Sequence, residues 1–165
     1  MLALGIDPGI GITGYGFVRE RDDGGLEHVT YGVIKTPPEM PLPERLQAIY
    51  AGVDALVREF EPDSAAVEKL LFGRNVTTAM AVGQARGVTL LALVDNNLSI
   101  DEYTPATIKQ AVAGYGNANK GQVQDMVRLL LNLDDIPRPD DAADALAVAI
   151  THLYASRHQR LIEDS

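Results

Sequence analysis

The sequence predicts one α/β domain, a mixed five-stranded sheet with helices on both faces. Two observations carry this. Residues 1–36 read as three strands joined by short glycine turns, which makes an antiparallel meander. After them, strand-like and helix-like apolar runs alternate, the pattern of a sheet extended by crossover helices. The chain of 165 residues is long enough to bury a full core.

The first strand spans residues 1–7, with Leu2, Leu4 and Ile6 apolar. It runs into Gly5-Ile6-Asp7-Pro8-Gly9-Ile10-Gly11-Ile12-Thr13-Gly14-Tyr15-Gly16, where Gly9, Gly11 and Gly14 fit G-x-G-x-x-G. A dinucleotide fingerprint needs a helix after those glycines. Here the following residues are β-branched, aromatic or glycine, and each interior glycine weakens a helix by about 1 kcal/mol. The segment is therefore a hairpin. Asp7 stands at the end of an apolar strand beside a turn with little side-chain bulk, where another backbone can approach it.

A second strand follows at 12–20, a turn at Asp23-Gly24-Gly25 and a third strand at 27–36. A proline-rich loop to Pro43 leads into a helix whose face is marked by Leu46, Ile49, Tyr50, Val53, Val57 and Phe60. The run from Ala65 to Leu71 is a fourth strand. A helix at 76–94 has Asn75 as its N-cap, and 99–103 is a short fifth strand. Helices are expected at 105–114, 120–132 and 140–156. The order is βββαβαβααα, with residues 1–157 as one domain and 158–165 as a short polar C-terminal tail.

Composition narrows the function. The absence of cysteine excludes disulfides and thiolate metal sites, leaving carboxylates, histidine, carbonyls or water as metal ligands. There is no run of 18 apolar residues and no basic leader before an apolar stretch, so no membrane span or signal peptide is expected. A cytoplasmic location is the default. The net charge of −9 argues against nucleic acid, but its distribution is uneven. Residues 65–133 hold six basic and five acidic side chains, so that segment is +1 and the remainder −10.

Three segments place acids where burial makes them costly. Asp7 ends the first strand. Glu68 lies within an apolar one, between Ala66-Val67 and Leu70-Leu71. Asp141 and Asp144 share a face of an alanine-rich helix, whose small residues allow close packing on a sheet. Clustered buried carboxylates repel and take up protons, and a hard divalent cation such as Mg²⁺ or Mn²⁺ resolves that conflict. Each acid also has an ordinary reading: Asp7 as a turn former, Glu68 as an ion-pair partner, Asp140 or Asp141 as a helix cap. Spacing alone does not choose among them.

Four motifs resemble the RuvC family of Holliday-junction resolvases: GIDPG with its glycine hairpin, VEKLLFGRNVTTAMAVGQARG, YTPATIKQAVAGYGNANKGQVQ and DDAADALAVAITH. They occur in the family's order and span nearly the whole chain. The resemblance implies a ribonuclease H-like fold and a homodimeric endonuclease that cuts four-way DNA junctions symmetrically, in recombination and repair. It assigns the catalytic and metal-binding acids to Asp7, Glu68, Asp141 and Asp144, choosing Asp141 over Asp140. It implies two Mg²⁺ ions per site, with Mn²⁺ able to substitute. One ion would activate water and the other would stabilise the leaving 3′ oxygen, giving 5′-phosphate and 3′-hydroxyl ends. Lys109 and Lys120 become contacts to the DNA backbone, with Arg74 also on the DNA side. The family commonly carries an aromatic three residues after the glutamate; here that residue is Leu71, with Phe72 next to it. A one-residue shift swaps faces in a strand, so both are candidate junction contacts. The RuvA and RuvB branch-migration proteins are implied partners.

Sugar kinases and actin-like ATPases share a similar opening strand, but they need two such domains to enclose a nucleotide. A non-catalytic junction-binding protein would have no need of all four acids. In the 76–94 helix, Ala79, Gly83 and Gly87 recur every four residues, and Arg86 is the only charge between Asn75 and Val94. Such a bare ridge suits a two-fold dimer interface, which would match the near two-fold symmetry of a four-way junction.

Overall fold

The computed structural model describes residues 1–69 and 75–165. The elements are β1 (Leu2–Asp7), β2 (Ile12–Glu20), β3 (Leu26–Lys35), α1 (Leu42–Phe60), β4 (Ser64–Glu68), α2 (Val76–Asp95), β5 (Ile100–Tyr103), α3 (Pro105–Ala113), α4 (Lys120–Leu130) and α5 (Asp140–Glu163). The expected order is observed. One sheet of order β3-β2-β1-β4-β5 has β1–β2 and β2–β3 antiparallel and β1–β4 and β4–β5 parallel.

Side-chain alternation sorts the sheet into two unlike faces. Leu2, Leu4, Ile6, Ala65 and Val67 point to one side, where they pack with Val53 and Val57 of α1 and Ala92 and Leu93 of α2. Ala3 and Ala66 point to the other, against Ala147, Ala149 and Ile150 of α5 and Ile108 and Val127 of α3 and α4. That second face is built of small residues. A Cβ on Gly5 would lie 2.1 Å from the Ala145 carbonyl oxygen, and one on Gly14 would lie 1.9 Å from that of Asp141. The backbone that approaches the glycine hairpin is thus α5, lying directly on the sheet. Farther along, Ser64 Oγ and His152 Nε2 lie 2.8 Å apart, and Tyr103 Oη lies 3.1 Å from His152 Nδ1. These contacts tie α5 to β4 and β5.

Three boundaries differ from expectation. β4 ends at Glu68, and the remainder of its expected span from residue 70 onward lies outside the described residues. α1 begins at Leu42 because Pro43 is tolerated in a first helical turn. α5 continues to Glu163, so residues 158–163 are exposed helix instead of tail. Arg157 and Arg160 fasten that extension by pairing with Glu20 at 2.7 and 2.5 Å.

α2 is capped as expected, the Asn75 side chain accepting a hydrogen bond from the Thr78 amide. By length and composition it is apolar enough to cross a membrane. In the fold its inner side contributes Ala85, Thr89, Ala92 and Leu93 to the interior, so burial accounts for only part of its apolar character.

Candidate functional site

Strand parity brings the first two acids together. Asp7 has the parity of Ala3 and Gly5, and Glu68 that of Ser64 and Ala66, so both side chains leave the sheet on the α5 side. The β1–β4 register pairs Ile6 with Val67, which sets Asp7 beside Glu68 at the carboxyl ends of two central parallel strands. α5 runs back over them. Its first turn rests on Gly14, the residue paired with Asp7 across the β1–β2 ladder. Asp141 and Asp144 therefore come within electrostatic range of Asp7.

The carboxyls carry the mark of this crowding. Burial first, and then Glu68, push Asp7 up to about 9. Burial also raises Glu68 and Asp144, against the opposing pull of Lys120 on both. The crowding of Asp7 against Glu68 favours a proton retained on Asp7. Among the described residues, no three acidic or histidine side chains already converge as a metal-ligand cluster. One reason is visible in the side chains: Lys120 Nζ lies 3.2 Å from Asp144 Oδ2 and 3.5 Å from Asp140 Oδ2. Lys120 offsets part of the negative charge gathered here. Oxygen-only donors, crowded and facing a cavity, fit a hard divalent ion.

Asp140 is occupied differently. It accepts from Arg138 Nη1 at 2.6 Å and Gln124 Nε2 at 3.2 Å. Desolvation pushes its carboxyl up, but Gln124, Lys120 and Arg138 together outweigh it and hold the carboxyl below the usual range. The helix cap is neither aspartate: Pro139 holds that position without a side-chain bond.

Two recesses flank Glu68. One, of about 230 Å³, is lined by Glu68 and Asp144 with Lys109 of α3 and Lys120 of α4. Asn119 fixes the start of α4 with a capping box to Gln122, which aims Lys120 at the acids. The other, of about 260 Å³, lies toward α2 and is lined by Asp7, Glu68, Lys69 and Arg86. Arg86 Nη2 lies 2.6 Å from Glu102 Oε1 on β5. The sequence marks Arg86 as the one charge between Asn75 and Val94, but nothing in its spacing ties it to Asp7. Leu71, Phe72 and Arg74, expected to face DNA, lie outside the described residues.

The outer side of α2 is apolar and open: Val76 is 72% exposed, Met80 62%, Leu91 53% and Val94 57%. Gly87 lies on the same stripe, with nothing within 4 Å of a Cβ placed there, while Ala79 and Gly83 are half-buried. The exposed seam is therefore wider than a ridge of small residues.

A mixed five-stranded sheet of order β3-β2-β1-β4-β5, its central parallel strands crossed by a helix, is an α/β architecture of the ribonuclease H-like class. The family model for crossover junction endodeoxyribonuclease RuvC matches residues 3–152, and the chain belongs to that family. It is 57% identical over 156 residues to the crossover junction endodeoxyribonuclease RuvC of Chloroflexus aggregans, covering 94% of each chain. Its fold superposes on the Thermus thermophilus RuvC structure with a TM-score of 0.90 at 39% identity, covering 96% of this chain and 97% of that one. A structure of T. thermophilus RuvC in complex with Holliday junction substrate matches with a TM-score of 0.88 at 37% identity over 96% of each. Nucleases of this family depend on divalent metal.

Proposed function

We propose that this protein resolves four-way DNA junctions by paired, symmetric nicks, with Asp7, Glu68, Asp141 and Asp144 forming one metal-dependent hydrolytic site per subunit. The observation that carries the reading is the placement of Asp7 beside Glu68 at the carboxyl ends of β1 and β4, with Asp144 of α5 lining the same recess as Glu68. The residues suit two Mg²⁺ ions, with Mn²⁺ as a substitute, because every donor is a hard oxygen. When bound, such ions supply an activated water and neutralise charge on the leaving oxygen.

The chain's own residues do the rest. Asp7 and Glu68 would hold such an ion as carboxylates, and Asp144, now beside Lys120, would complete the set, leaving the lysine to face a phosphate oxygen. Lys109, beside the same cavity, holds the backbone on that side and offsets charge that develops at phosphorus. A short α5–sheet distance keeps the acids of α5 in register with those of β1 and β4.

Two copies meeting along the exposed seam of α2 would form an isologous dimer, giving two sites related by the symmetry of the junction. The partners are then junction DNA, a second copy and, by family resemblance, RuvA and RuvB. A soluble, DNA-acting enzyme of this kind works in the cytoplasm.

The test is a synthetic four-way junction labelled on each strand in turn, incubated with Mg²⁺. Symmetric nicks in one opposed pair of strands support the proposal, and an intact junction alongside cut linear duplex would refute it.

A further inference from the structure

The recess on the α2 side shares Asp7 and Glu68 with the proposed metal site, but its two cations, Lys69 and Arg86, have no role there. It mirrors the first recess in one respect: each places two cations beside Glu68, Lys109 and Lys120 on one side, Lys69 and Arg86 on the other. Arg86 is the more constrained of its pair. Its side chain is 18% exposed, one edge of the guanidinium is held by Glu102 at 2.6 Å, and Nε has no hydrogen-bond partner among the described residues. A charge so far from water is costly unless its donors are matched, and a single carboxylate matches only part of the fork. Lys69 is different. It is exposed, while its backbone amide donates to the Tyr103 carbonyl at 2.7 Å, so an exposed ammonium stands on an anchored backbone.

Resting on the nuclease reading, we infer that Lys69 and Arg86 form a second phosphate subsite, which holds the phosphate next to the scissile one on the α2 side. A strand that lays its scissile phosphate against Asp7 and Glu68 must place the neighbouring phosphates to either side, and each side then offers a cation pair. Arg86, pre-oriented by Glu102, supplies the directional contact, and Lys69 a charge that adjusts. Because Arg86 stands on the helix that also bears the open apolar seam, the subsite would fix the cut strand relative to that helix. This makes Arg86 a substrate-binding residue for the cleaved strand, distinct from the acids that perform hydrolysis.

The experiment pairs protein variants with uncharged phosphates. Methylphosphonates replace, one at a time, the phosphates flanking the cleavage point of a four-way junction. Single-turnover cleavage in Mg²⁺ and junction affinity in EDTA are measured for wild type, Arg86→Gln, Arg86→Lys and Lys69→Gln. At one flanking position the neutral phosphate slows wild type by about tenfold but slows Arg86→Gln by less than about twofold, because that contact is already lost. Arg86→Lys, which keeps charge without the fork, falls between. Lys69→Gln shows the same non-additivity at the same position. A purely structural Arg86 gives losses that multiply independently at every position, and that result overturns the inference. So does a wild type insensitive to neutralisation on either side. If Arg86→Gln fails to fold, the exposed Lys69→Gln decides alone, with independent losses again counting against the subsite. Should wild type leave the unmodified junction uncut, the nuclease reading fails, and the affinity cycle in EDTA still judges the subsite.

Discussion

Burial and a neighbouring carboxyl act together on the side chain of Asp7. Its carboxyl is buried beside Glu68 and pushed up to about 9. Between the ordinary value of 3.8 and about 9 the folded state binds more protons here than the unfolded state does. Stability of the metal-free protein must therefore fall as pH rises through that window. Asp7→Asn removes the slope, and thermal melts in EDTA check it: the variant should exceed wild type by several degrees at pH 8 and by little at pH 4. At this chain length each kcal/mol gained moves the midpoint by about 2–4 °C. Addition of Mg²⁺ should raise the wild-type midpoint and leave Asp7→Asn nearly unmoved. His152 acts in the opposite sense. Burial holds it below its ordinary value, so in the range just under 6.5 the unfolded state binds the extra proton and stability rises with pH. In cleavage, Asp7→Asn, Glu68→Gln, Asp141→Asn and Asp144→Asn should each slow junction cutting by at least about a hundredfold while junction affinity is kept. Asp140→Asn, whose carboxyl is engaged by Arg138 and Gln124, should cut at close to the wild-type rate. These residues were legible to different degrees. Asp7 and Glu68 stood out as acids in apolar strands. The roles of Asp140 and Asp141 were not separable by spacing, because their difference lies in partners from α4 and the loop before α5.

The element that decides the site is α5, and the glycines decide how closely it lies. A methyl on Gly14 would meet the Asp141 carbonyl oxygen at 1.9 Å, and backbone cannot swing aside as a side chain can. Gly14→Ala should cost about 1–3 kcal/mol in urea unfolding. It should also depress cleavage beyond its effect on the folded fraction, since a shift of about 1 Å in the acids of α5 can cost a hundredfold. Gly87→Ala is the contrasting case. Nothing stands within 4 Å of the added carbon, so better helix propensity should leave the fold as stable or up to about 1 kcal/mol more so. The glycine hairpin was readable as a hairpin because β-branched and aromatic residues follow it. That α5 fills the space above it was not, since close approach is a relation between segments 130 residues apart. The end of α5 was misjudged for a related reason. Residues 158–163 look polar and terminal, yet Arg157 and Arg160 anchor that turn to Glu20 across the sheet edge.

At the scale of the whole molecule, the net charge of −9 and the task of holding DNA are reconciled by position. Lys109 and Lys120 on one side of Glu68, and Lys69 and Arg86 on the other, gather around the acids, while the excess negative charge lies elsewhere on the chain. Junction affinity should accordingly drop steeply with salt, and Lys109→Ala should reduce the slope of log K against log salt by about one. The order of elements and the helices on both faces were legible in the sequence, because each element announces its own period. The second recess was not, because Lys69 and Arg86 belong to different elements and meet only when α2 lies against the edge of the sheet. The central claim is that two such sites act together in a dimer joined along α2. A supercoiled plasmid that extrudes a cruciform tests it most directly, since two nicks made in one encounter release linear DNA and isolated nicks leave an open circle. Wild type is predicted to give linear product from the first turnover, and Gly87→Glu, with its charge set in the seam but nothing for it to strike within the subunit, to sediment as a folded monomer that gives no linear product. Linear product from a monomeric Gly87→Glu, or only open circles from wild type, would contradict the account.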